Sequence, residues 1–387
     1  MTDSKALRIL HITDDLTGVN TGVAASVHQL ALWQSRHYGY VGIHTVGVES
    51  LRFDGALEIR TSQVHRKTPV WHYPKDGVQP LLKWIDHFRP THLHVHEFWR
   101  AAFVLGMLAA RLRKIPIVLS AHGLTAPAAL GNQGLARQIK KTAYWNLFAR
   151  HLMSKGCRLH AITPLESEHF STFFSRPSDA VIPNAIDLEF MKTESFSKVL
   201  RPTKTILFLG RLHPIKGVDL LIEAFAASSL NLEWELLIAG PEEIPEFATK
   251  LKQMAQKAAP RRIRFLGHCS GDEKRRLLAS AWVLAAPSHS EVIGMVNLEA
   301  ASMRTPSITT YATGLSDWGS VGGKLVETGV RSIMNALEEV ANWSMQERLA
   351  RGDSMYELVQ LKYSLDNVGE QWTKFYHSCK ESITETI

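Results

Sequence analysis

The sequence predicts an α/β protein made of two doubly wound parallel-sheet (Rossmann-like) domains. Short apolar segments alternate with helical segments along the chain, which is typical of parallel sheets covered by helices on both faces. The alternation occurs in two series, and the polar stretch 191–203 between them shows no helical pattern and is the expected linker. A length of 387 residues also fits two or three domains.

The first series predicts an N-terminal domain over residues 1–190. A helix is expected at 23–33, where apolar residues recur on one side. The segments expected to form strands are Arg8–Thr13, Thr91–Val95, Pro116–Ser120, Leu159–Thr163 and Ala180–Ile182.

The second series predicts a C-terminal domain over residues 204–364. Ligands of doubly wound sheets bind beyond the carboxyl ends of the strands, so a central cleft faced by both domains is the expected site. The expected strands are Thr205–Gly210, Glu235–Gly240, Ile263–Gly267 and Trp282–Ala286.

Composition excludes several classes of protein. Hydrophobic residues make up 45% and charged residues 21%, which is a globular composition and excludes disorder. Three cysteines provide no disulfide framework and fit a reducing cytoplasm. The first residues show no signal-peptide pattern, and the longest apolar run, Ala101–Ala110, is too short to span a bilayer. A cytoplasmic location, with peripheral contact to the inner face of the cell membrane, is therefore expected.

Two motifs in the second series indicate a diphosphate ligand. Neither G-x-G-x-x-G after the first strand nor a P-loop occurs, which argues against dehydrogenases and P-loop NTPases. In the segment Gly210–Gly217 (GRLHPIKG), Arg211 and Lys216 lie between a strand and the start of a helix, where an anion is attracted. The arginine fork and the lysine charge could close around a diphosphate.

The second motif is a pair of glutamates in the segment Pro287–Ala300 (PSHSEVIGMVNLEA). If the helix begins at Gly294, Glu291 lies at its N-terminal end and Glu299 lies about one and a half turns further along it. Carboxylates at these places can accept hydrogen bonds from sugar and ribose hydroxyls.

Together the two motifs resemble the retaining GT-B glycosyltransferases of family 4, and the resemblance covers nearly the whole chain. Further segments fall in the order expected for that family, and the chain is similar to members that build bacterial surface polysaccharides. These segments are His94–Trp99, Ser120–Leu124 (SAHGL), Val181–Asp187 (VIPNAID) and Tyr363–Tyr376, the last overlapping an expected C-terminal helix at 365–387 that returns to the N-terminal domain.

The resemblance implies a role for each matched residue. Arg211 and Lys216 would bind the diphosphate of the donor, and Glu299 would hold its ribose. Glu291 would hold hydroxyls of the donor sugar, and Gly294 would bring backbone amides to the sugar and the β-phosphate.

In the N-terminal domain, Gly22 would let the first loop approach the diphosphate, and His122 would reach the donor sugar. We count His122 and Glu291 as the catalytic candidates. The expected donor is a UDP- or GDP-sugar that is itself a substrate, and no cofactor or metal is expected. The sequence departs from the family at Val292 and Ile293, where the family has Gly and Phe.

Other functions stay open at this point. A sugar-nucleotide epimerase and a non-catalytic sugar-nucleotide-binding protein can share this fold. The two motifs favour a transferase over an epimerase, and the intact charged set argues against a non-catalytic protein. Nucleic-acid binding is not expected, because no basic stripe carries base-stacking residues.

One helix predicts a membrane contact. No acidic residue occurs between Glu97 and Glu166, yet this stretch holds ten Lys or Arg. Within it, residues 134–155 are expected to form a helix in which Leu135, Ile139, Ala143 and Leu147 face the core. Arg137, Lys140, Lys141 and Trp145 would then meet an anionic bilayer and a glycan or lipid-linked acceptor there.

Overall fold

The computed structural model describes residues 6–14, 22–47, 57–63, 74, 76–127, 135–153, 156–191 and 202–384. The chain divides into two compact units. Unit 1 comprises Met1–Ala185 and Leu365–Ile387, and unit 2 comprises Ile186–Ser364. Most of the expected linker, residues 192–201, lies outside the described residues.

A seven-stranded parallel sheet forms the centre of unit 1, in the order β3-β2-β1-β4-β5-β6-β7. All residues of β4 and β5 are buried, as expected for central strands covered on both faces. The strands are β1 (Arg8–Asp14), β2 (Tyr40–Gly47), β3 (Glu58–Gln63), β4 (His92–His96), β5 (Ile117–Ser120), β6 (Arg158–Ala161) and β7 (Ala180–Val181).

The helices of unit 1 pack their apolar sides on this sheet. In α6, Pro164 occupies the first turn and the Thr163 hydroxyl accepts from the Glu166 amide, so the sequence itself starts the helix there. The helices are α1 (Gly22–Tyr38), α2 (Gln79–Phe88), α3 (Ala101–Arg113), α4 (Leu135–Tyr144), α5 (Arg150–Leu152), α6 (Pro164–Phe173) and, from the end of the chain, α14 (Leu365–Thr384); a π-helical turn, Trp145–Ala149, joins α4 to α5.

Unit 2 contains a six-stranded parallel sheet in the order β10-β9-β8-β11-β12-β13. The strands are β8 (Thr205–Leu209), β9 (Glu235–Ala239), β10 (Ile263–Gly267), β11 (Val283–Ala286), β12 (Ser307–Thr310) and β13 (Lys324–Val326). The helices are α7 (Leu188–Met191), α8 (Val218–Ala227), α9 (Pro245–Ala258), α10 (Gly271–Ser280), α11 (Met295–Ser302), α12 (Val330–Ala341) and α13 (Met345–Leu358).

Both sheets are doubly wound, which confirms the predicted fold class. In each one the strand order reverses beside the first strand of the unit, between β1 and β4 and between β8 and β11. Loops that leave neighbouring strands in opposite directions open a crevice at such a point, and ligands bind there. The loops after β8 and β11 are the ones that carry the two motifs.

The expected orientation of the helical segment 135–152 is wrong. Ile139 is 59% exposed, Leu147 is 79% exposed and Ala143 is also exposed, whereas Trp145 is half-buried. The Trp145 ring lies 4.6 Å from that of Phe173, between ring centroids, and packs on the core of unit 1. The large aromatic ring is buried in place of the aliphatic row because it removes more apolar area from water.

Candidate functional site

The two motif loops of unit 2 contact each other through their backbones. The turn after β8 is a short 3₁₀ helix, Pro214–Lys216, and the Ile215 carbonyl accepts from the His289 amide at 2.8 Å. Gly217 follows with φ +65°, and a β-carbon there would lie 2.3 Å from the Pro287 carbonyl oxygen. The left-handed backbone and this close approach explain why glycine ends the GRLHPIKG motif.

Lys216 and Glu291 form an ion pair between these loops. Their side chains are only about one-fifth exposed, at 20% and 21%, and the Ser288 hydroxyl donates to the Glu291 carboxylate at 3.3 Å. The fold therefore brings together the cation of the first motif and the first carboxylate of the second, which are 75 residues apart in the sequence.

Arg211 lies on the surface of unit 2, with 45% of its side chain exposed. Its guanidinium pairs with Glu243 at 2.6 Å, a residue that the sequence analysis did not select. A diphosphate that used both cations of the motif would have to compete with Glu243 for Arg211 and with Glu291 for Lys216.

Gly294 directly precedes helix α11 and has φ +62°. A β-carbon there would lie 2.8 Å from the side-chain nitrogen of Asn297, which is buried and donates to the Gly294 carbonyl. The helix begins at Met295, so Glu291 precedes it and Glu299 lies in its second turn, as the spacing predicted.

Glu299 pairs with Lys274 at 2.6 Å, and both side chains are about one-quarter exposed. Lys274 lies on α10 outside both motifs, so no sequence pattern marks it. The second carboxylate of the motif is thus paired with a cation of the chain, as the first one is.

In unit 1, Gly22 is the first residue of α1 and is exposed. Among the residues that the structure describes, no atom lies within 4 Å of the position that a β-carbon would take there. Residues 15–21 of the first loop lie outside the described residues, so the approach of this loop to a ligand stays a prediction.

His122 follows β5 in a left-handed conformation with φ +53°. Its Nε2 lies 2.9 Å from Nδ1 of His96, and burial lowers its pKa to about 4. The next amide, that of Gly123, donates to Glu166, which also accepts from the Ile162 amide at 2.7 Å. This buried carboxylate, whose pKa burial raises to about 7, braces the turn that carries His122.

The sequence left open which of His94 and His96 faces a ligand. Both are buried, but His96 lines the same cavity of unit 1 as His122. His94 lies deeper and contacts Tyr376 and Ser120 at 2.7 Å each. His96 is therefore the one of the two that is next to the candidate catalytic histidine.

The two units, with their reversed strand orders and the charged loops after β8 and β11, define a two-domain α/β protein of the GT-B type. Residues 21–185 match the family model of the glycosyl transferase 4-like domain, and residues 191–340 match that of the glycosyl transferases group 1. These matches cover most of the chain, which belongs to the group 1 glycosyltransferases with the GT-B fold.

Relatives and solved structures agree with this assignment. The chain is 25% identical to an uncharacterised glycosyltransferase of Methanocaldococcus jannaschii, over 94% of this chain and 95% of that protein. It is 26% identical to a D-inositol 3-phosphate glycosyltransferase of Nocardioides, over 78% and 70% of the two chains. The Anabaena HepE protein, solved with UDP and glucose, superposes with a TM-score of 0.72 at 18% identity, over 96% of this chain and all of that one.

Among the helices of the described residues, none combines the length and the apolar character needed to cross a bilayer. Of the residues predicted to meet a bilayer, Lys140 is exposed, Lys141 lies over the Trp99 ring at 5.3 Å and Trp145 packs inward. The side chain of Arg137 lies outside the described residues.

Proposed function

We propose that the protein transfers a sugar from a nucleoside-diphosphate donor to a hydroxyl group of an acceptor, with retention of the anomeric configuration. The observation that carries this proposal is the Lys216–Glu291 pair, which the fold assembles at the strand-order reversal of unit 2. A diphosphate needs a cation and backbone amides, and a sugar needs a carboxylate acceptor, and these groups meet here.

The chemistry proposed for this site is displacement of a diphosphate. The bond between the anomeric carbon and the β-phosphate oxygen breaks, and a bond from the acceptor oxygen forms on the same face of the sugar. The proton of the acceptor hydroxyl passes to the leaving phosphate. Lys216 and Arg211 offset the charge that develops on this phosphate, which is the main electrostatic demand of the reaction. His122 is proposed to contact the sugar of the donor, and Glu299 is proposed to contact the ribose of the donor nucleotide.

A UDP-sugar is the donor that we favour, because the similar Anabaena protein has been solved with UDP and with UDP-glucose. The test is a screen of UDP-, GDP- and ADP-sugars for a rise in melting temperature, followed by NMR of the product to read its anomeric configuration. A ligand that binds only the folded state raises the melting temperature by mass action. Stabilisation by none of the donors, or an inverted product, would contradict the proposal.

Metal independence is part of the same proposal. The cations that we assign to the leaving group belong to the chain itself, so a strong chelator should leave the initial rate nearly unchanged. Loss of activity on chelation, with recovery on adding Mg²⁺ or Mn²⁺, would show that the leaving group needs a metal ion.

We also propose that the acceptor is a lipid-linked glycan at an anionic bilayer, as in bacterial surface polysaccharide synthesis. The support is a group of exposed apolar side chains in the helical segment 135–152 of unit 1, Ile139, Leu147 and Phe148, which are 59%, 79% and 44% exposed. Lys140 is exposed beside it, within the stretch that holds ten basic and no acidic residues. Apolar side chains next to cations suit a bilayer surface, where each basic residue adds about 1 kcal/mol.

Co-sedimentation with vesicles tests this surface. We expect wild-type protein to bind vesicles rich in phosphatidylglycerol at low salt, and to bind less at high salt or on phosphatidylcholine alone. Leu147→Glu should abolish binding, whereas Leu232→Glu, at an 84% exposed position of unit 2, should not. Equal recovery in all conditions, or none in any, would favour a soluble acceptor such as an inositol phosphate.

A further inference from the structure

Four buried histidines of unit 1 and the half-buried His122 form one hydrogen-bonded chain with three other side chains, and this chain is not part of either motif. We propose that it determines which ring nitrogen carries the proton in all five histidines. His122 then donates from its protonated Nε2 to His96 and presents a bare, that is unprotonated, Nδ1 to a substrate hydroxyl. The inference rests on the proposed function only in assigning that hydroxyl to a sugar.

The first half of the chain starts at a backbone carbonyl. The Ile182 carbonyl can only accept, so Nε2 of His160, at 2.7 Å, carries the proton. Nδ1 of neutral His160 is then bare and receives the Ser120 hydroxyl proton at 2.7 Å. Ser120 has no second proton, so Nε2 of His94 donates to it at 2.7 Å. Nδ1 of His94 is therefore bare, and the Tyr376 hydroxyl donates to it at 2.7 Å.

The second half runs from Tyr376 to His122. Because the Tyr376 proton is already used, the Gln34 amide must turn its nitrogen to Tyr376, at 3.5 Å, and its oxygen to His11. Nε2 of His11 donates to that oxygen at 2.7 Å, so its Nδ1 is bare and accepts from Nε2 of His96 at 2.9 Å. Nδ1 of His96 is then bare as well, and Nε2 of His122 donates to it at 2.9 Å.

The protonation states that this logic requires agree with burial. Burial lowers the pKa of His11 and His122 to about 4 and that of His160 to about 3, and holds those of His94 and His96 well below the usual value. Burial also raises the pKa of Tyr376 well above its usual value, so this hydroxyl keeps its proton. The rings are neutral near pH 7, and each has one donor and one acceptor nitrogen.

A metal ion is the competing occupant of this cluster. His11, His94 and His96 each offer a ligand atom, and these atoms lie within 4.8 Å of one another. Both ring nitrogens of all three residues already have hydrogen-bond partners, however, and the resulting set of tautomers is consistent from end to end. Metal binding would have to break these hydrogen bonds. We therefore assign the cluster to setting the tautomers of the histidines and not to metal binding.

The consequence for recognition is selectivity between hydroxyls and anions. His122 lines a cavity of unit 1 together with Ser26, Asn184 and Trp372, and among the described residues its Nδ1 has no hydrogen-bond partner. A bare nitrogen accepts from a hydroxyl but repels the lone pairs of a phosphate or carboxylate. The chain thus makes Gln34, Tyr376 and the remote His160 positioning residues for His122.

The test is a long-range ¹⁵N–¹H NMR experiment on the full chain with labelled histidine at pH 7.5 and without substrate. His122, assigned through His122→Asn, should be protonated at Nε2 alone. Gln34→Met removes the hydrogen bonds that link His11 to Tyr376. The ratio of the two His122 tautomers should then change about fivefold to tenfold, which corresponds to the free energy of one net hydrogen bond. Tyr376→Phe should act in the same direction if Gln34→Met fails to fold.

The matched control is His44→Gln. His44 is another buried histidine of unit 1, which bonds to Ser62 and lies outside the chain, so its loss should leave the His122 signals unchanged. A wild-type His122 protonated at Nδ1, unchanged His122 signals in Gln34→Met, or shifts of the His94 and His96 signals on adding one equivalent of Co²⁺ would each overturn the proposal. These readings need no donor, so failure of the transfer reaction alone would leave the inference intact.

Discussion

The α-carbon of Gly217 faces the carbonyl oxygen of Pro287 so closely that a β-carbon would lie 2.3 Å from it. This contact joins the turn after β8 to the loop after β11, and it sets how far apart Lys216 and Glu291 can lie. The site of unit 2 therefore depends on a residue that has no side chain.

The first prediction is that Gly217→Ala destabilises the protein more than Gly271→Ala. Both glycines have positive φ, and the left-handed backbone costs alanine about 1–2 kcal/mol at either position. Only at Gly217 must backbone also move, because in the described part of the chain no atom lies within 4 Å of the added carbon at Gly271. Thermal unfolding should show the lower midpoint for Gly217→Ala, together with weaker donor binding. Equal midpoints would mean that the two loops separate freely.

The second prediction concerns the cations of the first motif. Lys216→Ala and Arg211→Ala should each lower turnover by on the order of 10²-fold, as the loss of one preorganised charge does in other enzymes. Lys204→Ala is the matched control, because Lys204 pairs with Glu233 at the other end of β8. Steady-state rates with the preferred donor measure the effect. Activity within a few fold of wild type would make Arg211 and Lys216 ordinary surface cations.

The third prediction is that Glu299 binds the ribose of the donor. Glu299→Gln should raise KM for the donor about tenfold and change kcat little, since this contact is the same in the ground and transition states. A donor with 2′-deoxyribose should show a smaller difference between wild type and variant. Lys274→Met tests whether the cation that pairs with Glu299 contributes to this binding. An equal effect on both donors would contradict the assignment.

The fourth prediction is loss of stability in acid. The native pKa values of His11, His122 and His160 lie at about 3 to 4, below the unfolded value of about 6.5. Their contribution to stability is complete above pH 6.5 and is lost as the pH falls towards 4, because the unfolded chain then binds more protons.

Two carboxyls, of the buried Glu166 and the half-buried Glu97, act in the opposite direction. The native pKa of both Glu97 and Glu166 is raised by burial to about 7, so their contribution is complete below about pH 4.5 and is lost as the pH rises through 7. Because the histidines outnumber these two carboxyls, the free energy of unfolding measured in urea should be lower at pH 5 than at pH 7.5. Glu166→Gln should steepen this decline, and a free energy that rises towards pH 5 would contradict the prediction.

The fold class and the placing of both motifs could be predicted from the sequence, but strands β2, β3, β12 and β13 could not. Strand β3 alternates exposed and partly buried residues in a polar sequence, and β13 has only three residues, so neither forms an apolar run. Strand β2 was missed because Gly42 interrupts its apolar pattern, and that glycine is there to admit the Trp84 ring, 2.8 Å from the position of its β-carbon.

The sequence analysis also could not predict the residues that pair with a site residue from a distant position in the chain. Lys274 and Glu243 lie 25 and 32 residues from the side chains that they hold, and no motif marks them. The buried face of the helical segment 135–152 was predicted wrongly, because a four-residue repeat of aliphatic residues takes no account of the aromatic rings. The Trp145 ring packs on the core of unit 1, and Ile139 and Leu147 stay exposed.

Helix α14 has a consequence for how the chain is made. Its residues Asp366 and Thr373 bond to Trp33 and Tyr38 of α1, both at 2.7 Å, and it also supplies Tyr376 to the histidine chain. On the ribosome, α14 emerges only after all of Ile186–Ser364 has been synthesised. Unit 1 is therefore translated first but completed last. Until α14 is made, the residues of unit 1 that contact it stay uncovered in the nascent chain.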